Sequence, residues 1–201
     1  MTRTATLAPA VPAAPGPDDA VARLRARGRA SGALVVTFFG ALWAGAGLSG
    51  LDAPAWAWVL LSVVATAIAA RAIRVLRGMP RVDERTLPAD VAARRRRGDR
   101  LFHAAVVGEG MGILVAINVV RLMGHPQWQP AAALLVVGLH FLPLASAFDY
   151  RPHLVTGLAL VAWSLAWPWL FAAGAMAPAG WLVGGAILAA SAVVALRAAG
   201  R

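Results

Sequence analysis

Six long apolar runs dominate this 201-residue chain and leave few folds open to it. Each run is close to or above the ~20 residues that a helix needs to cross the hydrocarbon core of a bilayer. Strands of membrane barrels are about half that length and alternate in polarity, so the runs predict helices. The predicted fold class is therefore all-α: a polytopic membrane protein, a bundle of six transmembrane helices. The predicted spans cover residues 32–50, 54–76, 101–123, 130–148, 153–173 and 178–196.

Composition supports a membrane protein and excludes several kinds of chemistry. Hydrophobic residues make up 60% of the chain and charged residues 14%, which is too apolar for an ordinary soluble domain. Every basic residue is arginine and alanine is abundant, a bias that suggests a GC-rich bacterial genome and hence the bacterial inner membrane. The chain has no cysteine, which excludes disulfides, thiolate metal sites and cysteine nucleophiles.

Short connections divide the predicted spans into three helical hairpins. Proline and tryptophan recur at or just before the second helix of each hairpin, as Pro54 and Trp56, Pro126 and Trp128, and Pro178 and Trp181. Both an ancient threefold duplication and independent placement at a membrane surface account for this pattern.

Charge and tryptophan placement predict the orientation of the bundle. All arginines except Arg121 fall on the side that carries both termini, which the positive-inside rule makes cytoplasmic. Tryptophans at the opposite ends of the spans form the expected interfacial belt. These tryptophans are Trp56, Trp58, Trp128, Trp167, Trp169 and Trp181.

Two segments are predicted to lie outside the hydrocarbon. Residues 1–30 form an Ala/Pro-rich basic cytoplasmic tail, disordered at first and then a short surface helix capped by Asp18 or Asp19, while residues 31–201 form the transmembrane domain. A basic cytoplasmic loop, residues 77–100, ends in Arg94, Arg95, Arg96 and Arg97. Because this run directly precedes a span, we expect it to contact anionic lipid headgroups, and we expect no nucleic acid partner.

A candidate buried polar site combines Glu109, His140 and Asn118. Glu109 is the only acid inside a predicted span, and His140 is the only histidine near mid-span. Each lies eight residues from its span's cytoplasmic end, roughly 12 Å deep at the helical rise per residue, so the two side chains can meet. Asn118 lies on the opposite face from Glu109, where an interhelical hydrogen bond is expected.

Small residues predict how the third span packs. Ala104, Gly108, Gly112 and Ala116 recur every four residues, a stripe that lets another helix approach closely. We therefore expect the stripe to face protein, either within the bundle or in a homo-oligomer formed through small-residue faces.

No cofactor or metal is expected. His103 and His153 are both predicted near the cytoplasmic surface, where a shared haem or metal is one interpretation and an interfacial location is the favoured one.

Three function classes remain open. The chain contains no Walker loop, HExxH or GxSxG motif. One hypothesis is a small transporter or proton-responsive membrane protein that uses Glu109 and His140. The alternative is a structural or stress-related membrane protein in which the pair only fixes packing. The third is an intramembrane enzyme on an apolar substrate, with the pair as acid and base.

One segment carries a family resemblance. Gly138-Leu-His-Phe-Leu-Pro-Leu-Ala-Ser-Ala-Phe148 resembles a stretch in small, functionally uncharacterised bacterial six-helix membrane proteins. The first hairpin is also similar in architecture to the acid-resistance membrane proteins of the HdeD type. These resemblances imply a six-helix fold and a membrane location, and they imply no catalytic residue.

Overall fold

The computed structural model describes residues 17–79, 82, 87–170 and 173–200. Six long helices account for nearly all of them: α1 (Pro17–Gly50), α2 (Ala55–Gly78), α3 (Ala89–Leu122), α4 (Gln129–Ala147), α5 (Arg151–Leu170) and α6 (Ala173–Ala199). A 3-10 turn, Pro126–Trp128, precedes α4. Each long helix is apolar and long enough to cross a membrane, so the predicted all-α, six-helix class is confirmed and the chain is a multi-pass membrane protein.

Helices α1 and α3 begin well before their predicted spans, and α6 begins at Ala173, ahead of the predicted residue 178. Helix α1 is continuous over 34 residues from Pro17, so residues 17–30 are not a separate surface helix. Helix α3 also has 34 residues and begins at Ala89, so the four arginines lie on a helix and not in a loop. No proline interrupts either segment, and alanine and arginine are strong helix formers, so each helix extends beyond its apolar part. Residues 1–16 of the predicted tail and residues 80, 81 and 83–86 of the predicted loop lie outside the described part.

The helices pack in the spatial order α2, α1, α6, α5, α4, α3. The two helices of each predicted hairpin are therefore neighbours. Two further helix–helix contacts, which we call seams, join the three hairpins: α1 against α6, and α4 against α5. At the first seam, a Cβ added to Gly185 would lie 2.5 Å from the Gly40 carbonyl oxygen. At the second, a Cβ on Gly157 would lie 2.7 Å from the Gly138 carbonyl oxygen. Glycine thus allows direct backbone contact at both seams.

Helix α3 lies at the edge of the bundle and contacts mainly α4. Only part of its small-residue stripe packs within the bundle, and contact of the remainder with a second copy of the chain stays a prediction. Gly112 packs on Val136 of α4, but a Cβ added to Gly108 would meet nothing within 4 Å, and Ala104 is exposed. The helix turns a different face, which includes Ala105, toward α4.

The tryptophans divide between the bundle surface and its core. Trp56 and Trp169 are 68% and 81% exposed, as expected of a belt that faces lipid headgroups. Trp167 is 0% exposed, so the prediction that it belongs to the belt is wrong. A Cβ added to Gly180 of α6 would lie 2.7 Å from the Trp167 ring. Because Gly180 has no side chain, α6 leaves room for this indole.

Arginines of the α1 extension anchor it to two helix ends. Arg27 Nη1 donates to the carbonyl oxygens of Leu76 (3.1 Å) and Met79 (2.9 Å) at the end of α2. Arg29 Nη1 donates to the Ala198 carbonyl oxygen at the end of α6 (2.9 Å). The last carbonyls of a helix lack partners within it and carry partial negative charge, so both arginines satisfy exposed acceptors.

Candidate functional site

The structure brings Glu109 of α3 and His140 of α4 together. The His140 Nε2 atom lies 3.5 Å from Glu109 Oε2, and the two side chains are 8% and 24% exposed, respectively. Both residues are in the apolar part of their helices. The contact therefore places two ionisable groups side by side where each alone would be costly.

A second contact fixes which nitrogen of His140 carries a hydrogen. His140 Nδ1 lies 3.0 Å from the Ala105 carbonyl oxygen, one turn before Glu109 on the same helix. A carbonyl only accepts, so Nδ1 is the donor, and in the neutral ring Nε2 is then an acceptor. The nitrogen that faces Glu109 is consequently the one that gains or loses a proton.

The proton count of the pair decides whether its contact is favourable. With one proton between Nε2 and the carboxyl group, one partner donates and the other accepts, whether the proton makes imidazolium or carboxylic acid. With two protons, imidazolium faces a carboxylic acid and the charge on the ring loses its counter-ion. With none, a carboxylate faces a nitrogen lone pair. One shared proton is therefore the arrangement that satisfies both partners of the contact.

Asn118 does not join this site. Its side chain is exposed and Nδ2 donates to the Leu114 carbonyl oxygen of its own helix, at 2.7 Å. The prediction that Asn118 is buried and bonds to another helix is wrong. An amide can satisfy one donor on the preceding turn, so it does not require a partner helix.

The two histidines weighed as metal ligands have separate environments. His103 Nδ1 contacts the Asp99 carbonyl oxygen of its own helix at 2.6 Å. The His153 ring packs against the rings of Phe141 and Tyr150, with centroids 5.4 Å and 4.9 Å away. Among the described residues, no group of three or more potential ligands could hold a metal ion.

A second polar cluster was missed by the sequence reasoning. Arg29 of α1, Tyr150 and His153 around the α4–α5 turn, and Ser191 of α6 line a common cavity. His153 was predicted to lie near the cytoplasmic surface, and its ring is half-buried next to the α4–α5 turn. The one available signal was Tyr150, the only tyrosine of the chain, next to a tight turn.

Comparison with protein-family models, with curated proteins and with solved structures found no match to this chain. The resemblance to small bacterial six-helix proteins and to the HdeD type stays a prediction. Function is therefore inferred from the residues and their geometry.

Proposed function

We propose that this chain is a proton-responsive membrane protein whose sensing group is the Glu109–His140 pair. The observation that carries the proposal is the 3.5 Å contact between His140 Nε2 and Glu109 Oε2 inside the apolar part of two helices. Ionisable groups inside a membrane carry a high free-energy cost, and their presence there is therefore taken first as evidence of a function.

The position of α3 at the edge of the bundle explains how protonation of the pair would change the structure. Helix α3 packs mainly on α4, and no residue of its membrane-crossing part is fully buried. When the pair gains or loses a proton, its polar contact breaks. Helix α3 then loses a larger fraction of its contacts with the bundle than a central helix would. Protonation thus shifts the balance between packed and displaced positions of α3.

Spin labels on α3 and α5 test this response. The chain has no cysteine, and Val107 and Val155 are 67% and 68% exposed, so cysteines at both positions accept labels without disturbing the core. We expect the distance distribution between the labels to broaden at both low and high pH and to be narrowest between them. The measurement is pulsed electron paramagnetic resonance in lipid nanodiscs.

The matched control replaces the pair with apolar residues, Glu109→Leu with His140→Leu. This variant should keep a narrow distribution at every pH, because no group at the contact titrates. A pH-dependent distribution that is identical in the control would assign the response to other groups. A distribution independent of pH in the parent chain would contradict the proposal.

A purely structural role is the second candidate, and one observation favours it. The bond from His140 Nδ1 to the Ala105 carbonyl oxygen holds α3 against α4 and needs no proton transfer. In this case the pair fixes the register of the two helices. The transporter and intramembrane-enzyme hypotheses stay predictions.

We place the protein in the bacterial inner membrane with both termini in the cytoplasm. The support is the concentration of arginines on one side, together with the exposed Trp56 and Trp169 at the other.

Reporter fusions test this orientation. Alkaline phosphatase fused after Asp52 or Gly124, in the two turns opposite the arginine-rich side, is expected to be active, because that enzyme folds only outside the cytoplasm. A green fluorescent protein fused after Gly200 should fluoresce from the cytoplasm. Inactive phosphatase at both turns would reverse the assignment.

Anionic lipid is the proposed partner on the cytoplasmic side. Arg94 to Arg97 lie in the first turns of α3, where Arg94 pairs with Asp90 of the preceding turn. A surface groove of about 500 Å³ lies between Arg25 of α1 and this start of α3. Basic side chains next to a span attract phosphate headgroups at about 1 kcal/mol per residue, so the cluster holds the ends of α1 and α3 at the membrane surface.

A further inference from the structure

Helix α3 exposes the side that points away from α4. Five positions on that side recur at alternating spacings of three and four residues, and all five are exposed: Ala104, Val107, Met111, Leu114 and Asn118. Glu109 and Gly112, which contact α4, belong to none of these positions. The exposed side of α3 therefore carries a repeat of its own, separate from the residues that attach the helix to the bundle.

Alternating spacings of three and four residues are typical of helices that pair with one another. Their average of 3.5 residues keeps one side of each helix in contact with its partner along a left-handed supercoil. The same crossing is common between helices in membranes. The next positions of the repeat are Arg100 at one end and Arg121, in the last turn of α3, at the other. The uncharged repeat is therefore confined to the membrane-crossing part of the helix.

Asn118 distinguishes this side of α3 from an ordinary lipid-facing surface. It is the only asparagine of the chain and precedes the end of its predicted span by five residues, roughly 7.5 Å at the helical rise per residue. Among the described residues, its side chain makes one hydrogen bond, from Nδ2 to the Leu114 carbonyl oxygen. The second N–H and the Oδ1 atom of the amide are then left to lipid, which offers neither donor nor acceptor. Such an amide favours contact with another helix.

The chemistry of the amide selects a second copy of this chain as the source of that helix. A carboxamide both donates and accepts, so two of them related by a two-fold axis can form reciprocal hydrogen bonds. Two copies inserted in the same orientation necessarily place Asn118 at the same depth. In parallel coiled coils, a single asparagine at an equivalent position of the repeat fixes the register and the number of helices.

We propose that the chain forms a symmetric dimer in the membrane through this side of α3, with the Asn118 amides of the two copies hydrogen-bonded across the two-fold axis. Glu109 lies on the side of α3 that faces α4, so the Glu109–His140 pair stays inside each copy. The dimer is therefore independent of the proposed proton response. A nanodisc that holds one chain lacks this contact, and the spin-label distances then report on a single copy.

Disulfide cross-linking tests which side of α3 meets the second copy. The chain has no cysteine, and the neighbours Val106 and Val107 are both exposed, so Val106→Cys and Val107→Cys form a matched pair. The two positions have nearly the same depth but differ by about 100° around the helix, and only Val107 belongs to the repeat. In proteoliposomes of phosphatidylethanolamine and phosphatidylglycerol, we expect oxidation to link Val107→Cys into dimers. Val106→Cys should link no more than Val63→Cys, an exposed position on the other edge helix, α2.

Three results of this experiment would overturn the proposal. Equal linking of Val106→Cys and Val107→Cys would mean random collision. Stronger linking at Val63→Cys would assign the contact to α2. No linking at Val107→Cys would mean that lipid or a different protein covers this side of α3.

Substitution of Asn118 tests the hydrogen bond itself. Copies of Phe38→Cys, an exposed position on α1, are labelled with a fluorescent donor or acceptor, and energy transfer is measured as the lipid-to-protein ratio is raised. Asn118→Leu should weaken dimerisation roughly tenfold, the effect of losing an interhelical hydrogen bond in a membrane. Asn118→Gln keeps the amide and should retain most of the energy transfer. Because Asn118 is exposed within its own chain, both variants should keep the melting temperature of the monomer in detergent. Undiminished energy transfer in Asn118→Leu would show that the amide does not hold the two copies together.

Discussion

Leucine in place of Gly185 is expected to prevent the bundle from assembling. The first added atom, Cβ, would already lie 2.5 Å from the Gly40 carbonyl oxygen and 2.6 Å from the Ala44 backbone nitrogen. Both are backbone atoms in the middle of α1, so no side-chain rotation relieves the overlap. Overpacking of a core usually costs about 1–3 kcal/mol, and we expect more here because α1 must move away from α6.

The control for this experiment is Gly108→Leu. Gly108 is also within a membrane-crossing helix, but a Cβ there meets nothing within 4 Å. The substitution should leave the melting temperature unchanged or raise it, because leucine favours helix over glycine by up to about 1 kcal/mol. The measurements are the yield of monodisperse protein in detergent and its melting temperature. A Gly185→Leu variant that is as stable as the Gly108→Leu control would show that α1 and α6 do not meet at Gly185.

This difference between two glycines shows where sequence reasoning ends. The six spans were predictable because length and apolarity alone decide whether a segment crosses a bilayer. The helices are apolar on most sides, however, so their composition does not fix how each is rotated about its axis. For this reason Gly108 belongs to the predicted packing stripe and yet meets no other helix of its own chain, whereas the contact of Gly185 with Gly40 was not predicted.

The depth of a residue in the membrane is easier to predict than the side of the helix on which its side chain lies. The equal depth of Glu109 and His140 followed from the fixed rise of a helix, and the structure places the two side chains in contact. The side of the helix on which a side chain lies was predicted wrongly for two residues. The Trp167 indole was expected at the surface and is buried, whereas the Asn118 amide was expected to be buried and is exposed. Tyr150 lies in a turn, so neither depth nor periodicity predicted its contact with Arg29.

Removal of either partner of the Glu109–His140 pair is expected to destabilise the bundle, while removal of both should restore much of the loss. In His140→Leu the carboxyl group loses its partner, and in Glu109→Leu the imidazole does. Breaking a buried pair in this way costs about 3–5 kcal/mol in soluble proteins, and replacing both partners with apolar residues is often neutral. Since Glu109 is 24% exposed, we expect the lower end, about 3 kcal/mol, for each single variant.

The double variant, Glu109→Leu with His140→Leu, should then be more stable than either single variant. Two losses of about 3 kcal/mol each, with a smaller loss in the double variant, correspond to a coupling free energy of about 3 kcal/mol or more, which is measured by thermal or denaturant unfolding in detergent at neutral pH. A cycle of Asn118→Leu with His140→Leu serves as the control and should be additive, because Asn118 bonds only to its own helix among the described residues. Additive losses in the Glu109–His140 cycle would show that the two side chains do not support each other. In that case neither a proton-responsive nor a structural role could rest on their contact.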